Sequence, residues 1–407
     1  MSTSNIIIFA DDKIEEYNKK IDNSEINKTV ETSGELNDEP KTNSRSAVVI
    51  DRKSKNIIYG KNENVKKAMA STTKIMTAMV VIQNTNLNNI VEISKKAAGT
   101  GGSRLGLKAG DKITVKDLLY GLLLRSGNDC AVALAEYVAG SVPEFSNLMN
   151  QNAQMLGLNN THFVTPHGLD EEEHYTTAYE LAVLTDYALK NEIFAQIVNT
   201  KSYTININEN AKTLNNTNEL LGNLNGVYGV KTGFTNGAGR CLVTSIKRGD
   251  LDIICVVLGA DTKKDRTRDS AKLIEYTFNK YEEINISEKV KESFESWNEI
   301  NANRINIEKG ESNKLKLVLK DKDKIYTYPI EKGTEEKIKV EINANLLFKA
   351  PVKENTKIGE LKVHYDNKEI MTIDIINSNT INKKRIGNYI TEIFENYDNY
   401  LEEIFER

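Results

Sequence analysis

The chain has 407 residues, with 54 lysines and arginines against 58 aspartates and glutamates and a formal net charge of -4. Its length predicts two or three globular units, or one large domain with an appendage. The near balance of charge gives no electrostatic reason to expect nucleic acid as a partner, and 39% hydrophobic residues with only 5 prolines exclude a fibrous or low-complexity protein.

The first 45 residues open with the short apolar run NIIIFA and continue as a polar stretch of mixed charge. A polar stretch without apolar periodicity predicts a disordered leader over residues 1–45. The apolar run is much shorter than a secretory signal. Two interpretations stay open: it is the end of a signal peptide whose start is missing, with cleavage at Ala10, or it has no function.

Residues 46–62, SAVVIDRKSKNIIYGKN, contain two short strand-like runs around a polar turn and predict a β-hairpin. The apolar run from Ile75 to Ile82 predicts a helix, and Ser71 before it is a residue type favoured at an N-cap. Ser71 and Lys74 are three residues apart, so they would project from one face of a helix that begins there. They are either a cap followed by a surface lysine or a nucleophile with its proton acceptor.

Apolar residues fill most positions of residues 115–139 and predict buried helices, but RSGND interrupts them with turn chemistry. Ser126 and Asn128 lie in this break. Polar side chains between buried helices are costly unless they have a function, although a plain polar turn is the alternative. Residues 144–157 and 177–190 predict two further amphipathic helices.

The stretch GVKTGFTNGAG leads into a strand, turn and strand over residues 241–259, and residues 263–281 predict a closing helix. A buried lysine serves as a base when burial or a second cation lowers its pKa, and Lys231 supplies a candidate for that cation. Strands at both ends of residues 46–281, with helices between them, predict an α/β (α+β) fold. Its antiparallel sheet would combine the N- and C-terminal strands and be flanked by helices.

After Tyr281 the sequence alternates apolar and polar residues with no long helix, which predicts a separate all-β domain over residues 282–380. Residues 381–407 predict an amphipathic helix. Its apolar face would consist of Ile390, Ile393, Phe394, Tyr397, Leu401, Ile404 and Phe405. Residues 388–407 carry six acidic side chains and one arginine, a net charge of -5. We therefore expect weak peripheral membrane contact that is driven by apolar burial or mediated by a partner.

Three histidines fall within HFVTPHGLDEEEH, residues 162–174, but His162 and His167 are five residues apart with Pro166 between them. They lack the shared helical face of a metal site, so the pattern favours a loop with structural histidines. The three cysteines are too few and too widely spaced for a disulfide framework or paired zinc thiolates, and they predict core thiols. The sequence predicts no bound metal ion and no cofactor.

Ser-x-x-Lys and Lys-Thr-Gly each occur once in the chain, in that order, with Ser-Gly-Asn between them. This set resembles the penicillin-recognising serine enzymes. More narrowly, ASTTKIMTA, LLLRSGNDCAVALAE, HFVTPHGLD and GVKTGFTNGAGRCLV resemble the low-molecular-weight D-alanyl-D-alanine carboxypeptidases over residues 46–281, and a second β domain is typical of them. The chain departs from that family at Tyr228, where an aspartate is usual.

The resemblance implies that Ser71 attacks the carbonyl between the terminal D-alanines of a peptidoglycan stem peptide, with Lys74 taking the hydroxyl proton. Ser126 and Asn128 would relay protons and hold the peptide amide. Water would then release the acyl group, and β-lactam antibiotics would acylate the same serine. Because the substrate lies outside the cytoplasmic membrane, the resemblance also implies an extracytoplasmic protein.

The same resemblance assigns substrate binding to the Lys-Thr-Gly segment. Lys231 and Thr232 would bind the terminal carboxylate beside Gly233. The backbone N–H groups of Ser71 and Phe234 would form the oxyanion hole. Arg266 matches a basic position that helps hold the carboxylate. Arg268 lies close to it in sequence, and an ordinary solvated arginine at the start of a helix is the alternative for Arg266.

Two rival functions remain at this stage. A β-lactamase of the same superfamily would need fast deacylation, and the sequence offers no obvious glutamate-bearing loop for that step. A catalytically weak wall-binding relative would keep the fold without activity, a possibility raised by Tyr228.

Overall fold

The computed structural model describes residues 39–321, 326–391, 393–394 and 397. The chain divides into two compact units between Glu282 and Glu283. Among the described residues, no helix combines the length and the apolar character needed to cross a membrane.

The strands of the first unit are β1 (Ser46–Asp51), β2 (Ile57–Lys61), β3 (Ile90–Glu92), β4 (Lys112–Thr114), β5 (Ser202–Ile207), β6 (Asn210–Asn215), β7 (Val227–Thr235), β8 (Gly239–Arg248) and β9 (Leu251–Ala260). Five of them form an antiparallel sheet that combines N- and C-terminal strands, as the sequence predicted, and their order is β2-β1-β9-β8-β7. Two short hairpins, β3-β4 and β5-β6, lie outside this sheet.

Helices cover both faces of this sheet. They are α1 (Lys74–Asn84), α2 (Lys95–Ala98), α3 (Val115–Leu124), α4 (Asn128–Ala139), α5 (Val142–Met155), α6 (Ala178–Leu189), α7 (Glu192–Val198) and α8 (Lys263–Lys280). In β1, Val48 and Ile50 pack into the core beneath α1 and α3–α7, while Val49 packs into a second core with Leu273 of α8. Burial on both faces explains why this strand reads as a continuous apolar run.

The packed part of the first unit begins before residue 46. Ser44 is fully buried, and the backbone N–H groups of Asn43 and Ser44 both donate to the Asp269 carboxylate of α8 at 2.8 Å. Lys61 Nζ donates to the carbonyl of Thr42 at 2.7 Å. The polar composition of residues 39–45 predicts that they belong to the disordered leader. That expectation is wrong, because long-range hydrogen bonds hold this segment against the first unit. The rest of that leader, residues 1–38, lies outside the described residues.

The second unit is rich in β-structure, as predicted. Its main sheet is four-stranded in the order β12-β17-β16-β14, and β11 pairs with β15 in parallel. β10 (Tyr281–Asn285) spans the boundary. The remaining strands are β11 (Asn306–Glu308), β12 (Leu317–Leu319), β13 (Thr327–Glu331), β14 (Ile338–Ala344), β15 (Leu347–Lys349), β16 (Lys357–Tyr365) and β17 (Lys368–Asn377).

The second unit also contains a helix, α9 (Ser287–Asn301), so the expectation that residues 282–380 contain no long helix is wrong. Val290 and Phe294 are buried one turn apart, and Trp297 packs against the same core. The apolar positions of α9 are few and are separated by charged residues. The period-two alternation of the later segments was therefore the stronger pattern in this part of the sequence.

Residues 386–391, 393–394 and 397 are helical at the C-terminal end. Six large apolar side chains of this segment are 43–80% exposed: Ile386, Tyr389, Ile390, Ile393, Phe394 and Tyr397. They include four of the seven residues of the predicted apolar face. The other three, Leu401, Ile404 and Phe405, lie outside the described residues.

Candidate active site

Ser71 and Lys74 lie where α1 starts, but their geometry is not that of an ordinary helix cap. Ala70–Thr73 form a 3-10 turn and α1 begins at Lys74, so Ser71 is not the N-cap residue. Lys74 has a relative exposure of 0%, and its Nζ donates a hydrogen bond to Ser71 Oγ at 2.8 Å. The interpretation as a cap followed by a surface lysine is therefore wrong.

The amine of Lys74 donates to neutral acceptors. Besides Ser71 Oγ, its Nζ donates to Asn128 Oδ1 at 2.7 Å and to the carbonyl of His167 at 2.9 Å. Each of these oxygens can accept one of the three hydrogens of an ammonium group. After loss of one proton, two hydrogens suffice for the amide and the carbonyl, so the lone pair can face Ser71 Oγ.

The Ser-Gly-Asn element is the bend between α3 and α4. Ser126 is buried and has a φ of +60°, a left-handed conformation that is uncommon for serine and is found at functional turns. Asn128 starts α4 and accepts from Lys74 through Oδ1, while its Nδ2 donates to the carbonyl of Gly101 at 2.8 Å. The bend thus brings Asn128 into contact with Lys74 and places Ser126 two residues away along the chain.

The Lys-Thr-Gly segment lies in β7 and packs directly on the 3-10 turn. A Cβ atom added to Gly233 would lie 3.0 Å from the Ser71 backbone nitrogen and 3.2 Å from that of Thr72, so a side chain there would crowd the turn. Lys231 is buried and donates from Nζ to the carbonyl of Thr232 at 2.8 Å. The glycine therefore allows the strand to approach Ser71 closely.

Phe234 follows this glycine and is half-buried. The guanidinium carbon of Arg240, its partner on β8, lies 3.7 Å from the centroid of the Phe234 ring. This cation–π contact restrains the aromatic ring at the end of β7. Because Phe234 directly follows the residue that packs on Ser71, the backbone N–H groups of Phe234 and Ser71 belong to facing segments, as an oxyanion hole requires.

The sequence predicted a loop at residues 162–174, but it did not predict that residues 162–175 close the site from another side. Gly168 has a φ of +84°, and a Cβ atom there would lie 1.9 Å from the carbonyl oxygen of Ala70. Thr77 Oγ1 donates to the carbonyl of Pro166 at 2.6 Å. These contacts position the His167 carbonyl that accepts from Lys74. The Pro-His-Gly turn chemistry was the available sequence signal.

His174 supports the 3-10 turn from within this loop. Its Nδ1 accepts from the backbone N–H groups of Val164 and Thr165 at 2.9 and 3.3 Å, so the ring proton is on Nε2. Nε2 lies 2.7 Å from Thr73 Oγ1, which donates to the carbonyl of Ala70 at 2.8 Å. Burial, reinforced by His162, lowers the pKa of His174 to about 4. Burial, followed by the charge of Lys74, lowers the pKa of His167 to about 3.

These two histidines predict acid sensitivity. In the unfolded chain both bind protons below a pKa of about 6.5, whereas in the folded chain they remain neutral until about pH 4 and 3. The free energy of unfolding should therefore be highest above pH 6.5 and fall as the pH drops. His174→Gln should be less stable than wild type at pH 7.5, and the difference should shrink toward pH 4. The assignment would be refuted if the free energies of unfolding of the two proteins differed by the same amount at every pH from 4 to 8.

Comparisons with known proteins agree with this arrangement. Residues 33–262, more than half of the chain, match the D-alanyl-D-alanine carboxypeptidase family. The chain belongs to that family. Residues 296–383 match the C-terminal domain of penicillin-binding protein 5.

Individual relatives support the same membership for this carboxypeptidase-family chain. It is 38% identical to D-alanyl-D-alanine carboxypeptidase DacF of Bacillus subtilis over 309 residues, 72% of this chain and 79% of the relative. It is 33% identical to DacA of Escherichia coli over 348 residues, 81% of this chain and 82% of the relative. The crystal structure of penicillin-binding protein 5 from Haemophilus influenzae matches with a TM-score of 0.71 and 27% identity, covering 85% of this chain and 99% of that one. The predicted fold class is thereby confirmed.

Arg266 of this carboxypeptidase-family chain is buried in α8, so it is not a solvated helix-start arginine. Its Nη2 contacts Glu219 Oε2 at 3.0 Å, and Thr267 Oγ1 donates to the same oxygen at 3.1 Å. Lys263 also contacts Glu219. Arg266 Nε is buried with no hydrogen-bond partner among the described residues. Arg266 and Lys263 therefore share the single negative charge of Glu219, a residue that the sequence analysis did not single out.

Tyr228, the departure from the family pattern, belongs to a half-buried polar network. Arg52 Nη1 donates to Tyr228 Oη at 2.8 Å, and Tyr228 Oη donates to Asp252 Oδ1 at 2.5 Å. Arg52 also contacts Asp186 of α6 at 3.1 Å. Burial and the adjacent Asp252 raise the pKa of the Tyr228 phenol well above its ordinary value, so it stays a donor. The network connects β7 and β9 with α6.

The histidines, thiols and carboxylates of the described residues are the side chains on which a metal site would depend. Among the residues that the structure describes, no cluster of three or more histidine, cysteine, aspartate or glutamate side chains could hold a metal ion. The cysteines are free and buried. Burial raises the pKa of all three thiols, to about 11 for Cys241.

Proposed function

We propose that this protein removes the terminal D-alanine from peptidoglycan stem peptides by a serine acyl-enzyme mechanism, with Ser71 as nucleophile and Lys74 as base. The hydrogen bond of 2.8 Å between Lys74 Nζ and Ser71 Oγ carries this proposal. Membership of the D-alanyl-D-alanine carboxypeptidase family agrees with it.

In the first half of the reaction, neutral Lys74 accepts the hydroxyl proton while Ser71 Oγ attacks the carbonyl of the penultimate D-alanine. The Oγ–C bond forms, the charge on the oxygen is stabilised by the N–H groups of Ser71 and Phe234, and the peptide C–N bond breaks. The released amine takes a proton and D-alanine departs. A water molecule then gives its proton to the base and hydrolyses the ester, which restores Ser71.

The other proposed roles follow from the positions of the residues around this pair. Asn128 holds the Lys74 amine through Oδ1 and orients the stem-peptide amide. Ser126, in the same bend, relays the proton to the leaving amine. Lys231 and Thr232, along the strand that packs on Ser71, bind the terminal carboxylate. Arg266 contributes positive charge behind them, reduced by its ion pair with Glu219.

The test is covalent labelling of the purified protein by a fluorescent penicillin together with release of D-alanine from a stem peptide. We expect a stable adduct of one penicillin per chain and measurable D-alanine. Rapid hydrolysis of the penicillin would favour the β-lactamase alternative. Peptidoglycan binding without any adduct or D-alanine would favour the inactive wall-binding alternative. Action on this substrate requires that the protein work outside the cytoplasmic membrane.

We also propose peripheral membrane contact through the C-terminal helix. Six large apolar side chains of the described helical residues are exposed at the spacing of one helix face. Residues 388–407 carry a net charge of -5, which anionic lipid repels, so apolar burial has to drive the contact. The full chain should float with neutral phosphatidylcholine liposomes more than with phosphatidylglycerol liposomes. A chain ending at residue 385 should not float, and equal flotation of both chains would exclude the helix.

A further inference from the structure

A buried carboxylate next to the Ser-Gly-Asn bend organises a second segment of the site. Asp129, in the first turn of α4, has a relative exposure of 0%. Its carboxylate accepts from the backbone N–H groups of Leu105, Gly106 and Leu107 at 2.9, 2.8 and 3.1 Å, and from that of Cys130 at 2.9 Å. The first turn of a helix also favours a negative charge. Asp129 therefore holds three consecutive N–H groups, those of residues 105–107, at the end of the segment 101–107.

The same segment holds the side chain and backbone of Asn128. The carbonyl of Gly101 accepts from Asn128 Nδ2 at 2.8 Å, and the carbonyl of Ser103 accepts from the Asn128 backbone N–H at 2.7 Å. Gly102 has a φ of +80°, and a Cβ atom there would lie 2.5 Å from Asn128 Nδ2. The amide is thus held between a backbone carbonyl on one side and the Lys74 amine on the other.

The orientation of this amide matters because its two ends are chemically different. With Nδ2 bound to a carbonyl, Oδ1 faces Lys74 and accepts from it. A flipped amide would present two N–H donors to the Lys74 donor and its oxygen to the Gly101 carbonyl, so both contacts would become repulsive. The position of the Gly101 carbonyl therefore determines whether Lys74 keeps Asn128 Oδ1 as an acceptor.

We propose that Asp129 is a positioning residue for acylation: its carboxylate fixes the segment 101–107, whose carbonyls orient Asn128 toward Lys74. This role rests on the proposed function, since it acts through the Ser71–Lys74 pair. It needs no contact between Asp129 and the substrate. Nothing in the Ser-x-x-Lys, Ser-x-Asn or Lys-Thr-Gly patterns specifies it.

The test compares Asp129→Asn with a matched control, Asp117→Asn. Asp117 is also a buried carboxylate in the first turn of a helix, α3, and it accepts from the backbone N–H of Asn206 at 3.0 Å. In Asp129→Asn, the new amide N–H₂ faces backbone donors, so the segment shifts. We expect the acylation rate constant for penicillin to fall about 10- to 100-fold, the scale of an ångström-size misplacement. Prior non-covalent binding should change less than about threefold.

Asp117→Asn should lower the thermal midpoint but leave acylation within about twofold of wild type. Adding Asp129→Asn to an Asn128→Ala chain should cost no further activity, because the two changes act on one contact.

Gly102→Ala, which disturbs the same amide without altering the carboxylate, should reduce acylation even if Asp129→Asn does not fold. Wild-type acylation in folded Gly102→Ala, or equal effects of the two aspartate changes, would overturn the proposal. Failure of wild type to be acylated would instead refute the proposed function.

Discussion

Replacing Ser71 with alanine is expected to abolish both the covalent penicillin adduct and the release of D-alanine. The hydroxyl is the only atom of this side chain that can form the acyl bond, so no partial activity should remain. The change removes one acceptor from Lys74, whose other acceptors, Asn128 and His167, stay in place. Stability should therefore fall by only about 1 kcal/mol. Labelling gels, a D-alanine assay and a thermal melt measure these effects.

A matched control for that change is Ser296→Ala. Ser296 lies on the exposed side of α9 within Ser-Trp-Asn, another copy of the Ser-x-Asn pattern, to which no role is assigned. Its loss should leave labelling and D-alanine release at wild-type levels. A fully labelled Ser71→Ala protein would show that another nucleophile forms the adduct.

Replacing Lys74 with methionine is expected to give the second largest effect. Methionine has a similar length but no proton acceptor, so Ser71 would lose its base. We expect the acylation rate constant to fall about 10²- to 10⁴-fold, the usual contribution of general acid–base catalysis. Lys74→Arg should be nearly as inactive, because a guanidinium keeps its proton throughout the accessible pH range.

The structural consequence of the lysine change can be separated from the chemical one. The Asn128 and His167 oxygens that accept from Lys74 would be left in a buried pocket without this donor, so some loss of stability is expected. Thermal midpoints of Lys74→Met and wild type establish that the assay temperature leaves the variant folded. Substantial acylation in folded Lys74→Met would assign the base to another residue.

Local sequence patterns predicted the main elements of the catalytic unit well. The hairpin of residues 46–62, the strand pair of residues 241–259 and the closing helix are each specified by their own apolar periodicity and turn residues. The serine and lysine of the first motif could be paired because a three-residue separation along one turn is a local property. The helix α9 was missed because its few apolar positions are separated by charged residues.

Contacts across long sequence separations could not be predicted in this way. Asp170 illustrates the point: its carboxylate accepts from Thr235 Oγ1 at 2.5 Å and from the backbone N–H of Gly237 at 2.9 Å. This joins the loop of residues 162–175 to the turn after β7. No periodicity relates positions 65 residues apart, so the partner of such a carboxylate follows only from the packing of the elements that carry it.

The amino-acid sequence by itself determined which side chains could perform the chemistry and on which local elements they would lie. Tertiary structure decided how those elements meet: Gly233 brings β7 against Ser71, Gly168 brings a loop carbonyl to Lys74, and Asp129 holds the backbone beside Asn128. The reason is physical. Turns and helix starts are set by neighbours along the chain. The burial of Lys74 and its contacts with Asn128 and His167 arise only when distant segments pack around one 3-10 turn.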